Sequence, residues 1–194
     1  KVRRHQSFRA GTDRFDEFLP DLLHNRPRYG SVQSGRPSCQ SNNRTKALTA
    51  ILLSFLRHLN SLINIFALSS TERRLVFYSE GQNYWVHLEG LVREILSISS
   101  INICYVSSSR NDPGLRLDHP NYKSFEVGDG FARDWFFANI DAGVMVMTMP
   151  DLHQYQVKKS RYDVHYIYIQ HSLVSLHMVY RPRAFEHYDT VFCA

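Results

Sequence analysis

A doubly wound α/β domain built on a parallel sheet is the fold this sequence predicts, and three observations predict it. From about residue 73 onward, apolar runs of strand length alternate with segments of helical periodicity, the order that βαβ units produce. The run Val164-His165-Tyr166-Ile167-Tyr168-Ile169 lacks polar alternation and reads as a strand buried on both faces, as strands of parallel sheets are. Turn chemistry, such as Asp112-Pro113-Gly114 and Gly128-Asp129-Gly130, falls between the elements.

The elements follow in chain order. Residues 1–45 are rich in Arg, Ser, Pro, Gly and Asn and are expected to be a basic, loosely ordered leader with a short helix at Phe15 to Leu23. Residues 46–70 form an amphipathic helix, because Leu48, Ile51, Leu52, Phe55, Leu59, Leu62, Ile63 and Phe66 recur at helical spacing from Lys46 to Leu68. Residues 71–194 are the compact domain. Its predicted strands are Leu75 to Ser79, Asn102 to Val106, Lys123 to Val127, Val144 to Met147, Val164 to Ile169 and Thr190 to Cys193. Helices are predicted at Tyr84 to Ser97, Phe131 to Asn139 and near Arg183 to Tyr188. The chain ends at Ala194 directly on an apolar strand, so a piece of a longer protein is expected.

Charge and cysteine content narrow the function classes. Residues 1–46 hold ten Lys and Arg against four acids, whereas the rest hold thirteen against fourteen, so the net charge of +5 belongs to the leader. A near-neutral domain with no basic stripe speaks against nucleic-acid binding. Cys39, Cys104 and Cys193 are odd in number and widely spaced, which fits a reducing, cytoplasmic compartment. Cys104 and Cys193 lie in apolar strand patterns and are expected to be buried. The longest apolar stretch of the amphipathic helix, Ala47 to Leu56, is short for a bilayer span. With Arg44, Lys46, Arg57 and His58 beside it, the segment 44–68 suits either an anionic membrane surface, giving a peripheral protein, or packing on the domain behind it.

Parallel strands present their carboxyl ends together, and ligands sit just beyond them. Four segments should meet there: Glu80-Gly81, Ser107-Ser108-Ser109, Thr148 to Asp151, and Gln170-His171-Ser172. His171, released where the longest apolar strand stops, is the candidate catalytic residue, with Glu80 or Asp151 as a carboxylate to orient its ring. Gly81, Ser172 and His177 join Glu80 and Asp151 as candidate substrate-binding residues. No metal site or cofactor is expected, because neither His171 with His177 nor His153 with His165 has a zinc-motif context. The chain also contains no G-x-S-x-G elbow and no P-loop.

The stretches Leu75 to Gly81, Val144 to Leu152 and above all Tyr166 to Asp189 resemble the amino-terminal half of the CDP-glycerol glycerophosphotransferases, the teichoic-acid polymerases and their relatives. The resemblance covers roughly residues 73–194. It implies the amino-terminal, Rossmann-like domain of a GT-B-type two-domain transferase, which offers a glycan or polymer acceptor, while a carboxyl-terminal domain holds a CDP-glycerol-like donor. His171 falls at the family's His-Gly-Thr histidine, and Ala184, Phe185, Tyr188 and Asp189 resemble the run into the next strand. Ser172 and Leu173 stand where Gly and Thr are usual, which alters the loop's backbone options. A sugar-nucleotide glycosyltransferase or epimerase on the same architecture, and a non-catalytic membrane-associated binding module, are the alternatives.

Overall fold

The structure, a computed structural model, describes residues 41–154, 157–171 and 180–193. The expectations for residues 1–40 of the leader, its Phe15 to Leu23 helix, Cys39, Ser172, Leu173 and His177 lie outside the described residues, whereas residues 41–45, expected to be loosely ordered, open the helix Ser41–Ala67. The chain divides into units Lys1–Ser41 and Asn42–Ala194, and the second is the one described.

Six strands form one all-parallel sheet: β1 (Leu75–Ser79), β2 (Ile103–Ser107), β3 (Tyr122–Glu126), β4 (Val144–Met147), β5 (His165–Ile169) and β6 (Thr190–Phe192). Their order is β3-β2-β1-β4-β5-β6, a Rossmann-like arrangement. The chain steps outward from β1 to β3, then returns to lay β4 against β1 with Leu75 opposite Val144. That reversal opens a crevice between the carboxyl ends of β1 and β4.

Alternating side chains divide the core into two layers. Val76, Tyr78, Met145, Met147, Tyr166 and Tyr168 point to one face. There they meet the helices α1 (Ser41–Ala67) and α3 (Phe131–Asn139) through Leu62, Ile65, Phe136 and Phe137. On the opposite face Phe77, Ile103, Tyr105 and Val146 pack on Trp85, Leu88, Val92 and Leu96 of α2 (Trp85–Ile98). The i, i+3/i+4 spacing of those α2 residues is what buries one side of the helix.

Three expectations need correction. The β5 run is not buried on both faces: Tyr166 and Tyr168 are buried, but His165 is exposed and Ile167 and Ile169 are half-buried. Residues 182–187 are turns rather than a helix. Arg183 there has φ +75, a left-handed conformation that an α-helix does not accept. Cys193 is exposed, as is Phe192 before it, because the edge strand β6 is not covered, although Cys104 is buried as expected. The turn expected at Asp112-Pro113-Gly114 is present, with the Leu115 amide donating to the Asp112 carbonyl, and it opens a short 3₁₀ helix, Pro113–Arg116, capped by the Asp112 carboxylate accepting from the Gly114 amide.

α1 meets the domain only with its carboxyl-terminal half. Leu62 and Ile65 are buried, whereas the side chains of residues 45–53 are all exposed. The joint is an ion cluster at the end of β3. Glu126 Oε2 lies 3.0 Å from Arg57 Nε, and its Oε1 lies 3.3 Å from His58 Nε2.

Candidate functional site

β1, β4 and β5 deliver their last residues to one rim. At the end of β1 the chain turns tightly, with the Gly81 amide donating to Ser79 Oγ at 3.3 Å. Glu80 follows β1 directly and is largely withdrawn from water, which pushes its carboxyl above the ordinary range; a hydrogen bond from Tyr84 and the Arg133 charge oppose that shift. The Glu80 charge in turn raises the Tyr84 phenol, with burial adding to it.

His171 stands just past β5 and is half-buried. Its ring is walled by aromatic groups from two ends of the sequence. Tyr84 meets it edge-on with centroids 5.6 Å apart, His87 lies at 5.5 Å, and Tyr168 of β5 lies at 6.5 Å. Burial, and then the proximity of His87, hold its pKa below 6.5, while the Thr148 backbone pulls the other way. The imidazole is therefore neutral at physiological pH, the form that accepts a proton. Its Nδ1 is buried with no hydrogen-bond partner among the described residues.

Unpaired polar atoms and strained backbone collect beside it. Thr148 Oγ1 and Asp151 Oδ1, at the end of β4, are likewise buried without partners among the described residues. Each such atom costs about 1–3 kcal/mol unless something binds it. The described non-glycine residues with positive φ are Asp151, His153 and Arg183. All three lie in two touching segments: the Asp151 amide donates to the Ala184 carbonyl at 3.0 Å, and the His153 and His187 rings stand 5.1 Å apart. Strain of this kind persists where surrounding structure enforces it, commonly at functional sites. Tyr168 extends the wall toward these turns, with its hydroxyl 3.1 Å from that of Tyr180 and its ring 4.6 Å from Phe185.

The structure thus brings Glu80, Gly81, Asp151 and His171 to one rim, but it does not pair His171 with a carboxylate. Glu80 reaches the histidine only through Tyr84, and Asp151 makes no bond to the ring. Ser107 serves the interior instead, donating to the buried Asp112 at 2.7 Å. Tyr84 and His87 are site residues that sequence reasoning missed, whereas Thr148 opens the segment Thr148 to Asp151 expected at this rim. The available signal was position, since the amino-terminal end of the helix after β1 borders the crevice in such sheets. Among the described residues no group of three or more His, Cys, Asp or Glu side chains could hold a metal ion.

Comparison with family models, curated proteins and solved structures gives no match to this chain.

Proposed function

We propose that this chain is the acceptor-side half of a CDP-glycerol glycerophosphotransferase-like enzyme of GT-B architecture, with His171 as its general base. A further domain would hold the CDP-linked donor. The neutral imidazole takes the proton of an acceptor hydroxyl, on a glycan or polymer, as that oxygen attacks the β-phosphorus of the donor. The bond from that phosphorus to the bridging oxygen breaks, CMP leaves with the electron pair, and a phosphodiester forms.

One observation carries the reading: a histidine with depressed basicity and an Nδ1 unpaired among the described residues, beside the switch point of a parallel sheet. Two others favour the acceptor side over the nucleotide side. The β1–α2 turn, Glu80-Gly81-Gln82-Asn83-Tyr84, has one glycine and a carboxylate where a dinucleotide fingerprint needs three glycines and no negative charge. The half-buried Tyr84 and Tyr180 rings also offer apolar faces with polar tips, which suit the C–H faces and hydroxyls of a polyol or sugar.

The test is CMP release from CDP-glycerol by the protein carrying both halves. His171→Ala should lower turnover about 10²–10⁴-fold. The wild-type rate should rise with pH through an apparent pKa below 6.5. Near-normal release by the variant refutes the base assignment, and release from UDP-sugars but not CDP-glycerol transfers the site to a sugar-nucleotide enzyme.

A further inference from the structure

The apolar stripe of α1 does not stop where the domain stops. Leu48, Leu52, Phe55, Leu59, Ile63 and Phe66 succeed one another at i+3 or i+4, so they form one line along the helix. Its lower part, with Leu62, borders a groove of about 530 Å³ completed by Phe131 and Trp135 of α3. Its upper part is bare: Leu48 is 66% exposed, Leu52 57% and Phe55 44%. Leu53 and Leu56, also exposed, widen the apolar surface beyond one line. Twelve residues from Thr45 to Leu56 extend about 18 Å at the rise of an α-helix.

Charge indicates what covers this surface. α1 contains no Asp or Glu; Arg44 and Lys46 fall in its free half, while Arg57 and His58 are engaged with Glu126. The sequence through Lys46 carries ten Lys and Arg against four acids. A second copy on this face would bring two such basic segments together, whereas an anionic surface would attract both the segment and the helix. Thr45–Ala67 is long and apolar enough to cross a bilayer by composition. Leu62 and Ile65 nevertheless sit in the domain core, and Arg57 and His58 are tied to Glu126, so the lower half is held by protein. A helix so fixed dips its free half into a membrane rather than spanning it.

We infer that the free half of α1, with Phe131 and Trp135 beside the helix's lower half, docks this protein onto an anionic lipid bilayer. Trp135 stands 4.9 Å from Phe66, ring to ring, where an indole can occupy the headgroup level. This inference is independent of the chemistry assigned to His171.

The experiment is flotation of the full chain with vesicles of phosphatidylcholine containing roughly one-third phosphatidylglycerol, against phosphatidylcholine alone. Binding should require the anionic lipid, weaken in roughly 0.5 M salt, and shift the emission of Trp135 to the blue, with the buried Trp85 as a constant background. The double variant Leu52→Asp/Phe55→Asp should bind at least about tenfold more weakly while its circular dichroism is unchanged, because both side chains are exposed. Equal binding by that variant, or no binding of wild type to anionic vesicles, overturns the inference. Self-association that the variant abolishes, with vesicles ignored, assigns the surface to a second copy and overturns it too.

Discussion

Gly128→Ala strikes the joint that holds α1 to the sheet. Gly128 has φ +69, where an alanine costs about 1 kcal/mol in backbone strain. A Cβ there would lie 2.4 Å from His58 Cε1 and 2.7 Å from its Nδ1, so the ring must move. Moving it separates His58 Nε2 from the mostly buried Glu126 carboxylate, a contact to a charged group worth about 1–2 kcal/mol. The total is about 2–3 kcal/mol, measurable as a lower urea midpoint at unchanged m. Amide exchange should rise between Arg57 and Phe66 if the helix loosens locally. The companion variant His58→Ala/Gly128→Ala removes the clash but keeps the φ penalty, so the two substitutions should couple by about 1 kcal/mol or more. A Gly128→Ala protein within about 0.5 kcal/mol of wild type, or strictly additive costs, would refute the account of this joint.

Two further predictions follow from buried carboxyl groups. Asp112 is fully buried and accepts from Tyr105 Oη at 2.9 Å, Ser107 Oγ at 2.7 Å and the Gly114 amide at 2.9 Å; Asp112→Ala leaves these donors unpaired and should cost about 3–5 kcal/mol in urea unfolding, with Asp112→Asn losing less. Glu80 is raised from 4.5 by burial, so its protonated form favours the folded state, and that contribution is complete below pH 4.5 and lost as pH rises through the folded pKa. Glu80→Gln should therefore melt at a higher temperature than wild type at pH 7, with the difference shrinking toward pH 4; a lower melting temperature at pH 7 would contradict the burial argument.

Much of the fold is legible in the sequence, for reasons that also mark where legibility ends. β1, α3 and β4 match their predicted bounds because each apolar run is closed by turn residues or a change of periodicity. The order of the strands is another matter: alternation predicts a parallel sheet but does not say that β4 returns to the side of β1. That return creates the crevice. The β5 run misleads about its second face, because an apolar sequence does not state how many layers cover it. Residues 182–187 have helical composition, yet the Ala184 carbonyl accepts from the Asp151 amide and Tyr188 Oη donates to the Met149 carbonyl. Long-range bonds there override local preference. His171 is findable as a strand end, whereas Tyr84 and His87 join it only through topology, from far earlier in the chain.

Asp112 and Asp151 show how the rim differs from the interior. The oxygens of Asp112 are all but enclosed by donors, from a hydroxyl on each of two strand residues and the amide of its own turn. Such a carboxylate is finished, and its network fixes the 3₁₀ helix against β2. Asp151 has a buried Oδ1 with no donor among the described residues, a backbone at φ +60, and Thr148 Oγ1 and His171 Nδ1 in the same condition at neighbouring strand ends. Three of the buried side-chain atoms without a partner among the described residues thus gather at the carboxyl ends of β4 and β5, the others being Arg57 Nε and Arg73 Nε. Under the proposed function, an acceptor hydroxyl entering beyond the carboxyl ends of β4 and β5 would give these atoms a partner where His171 can reach its proton.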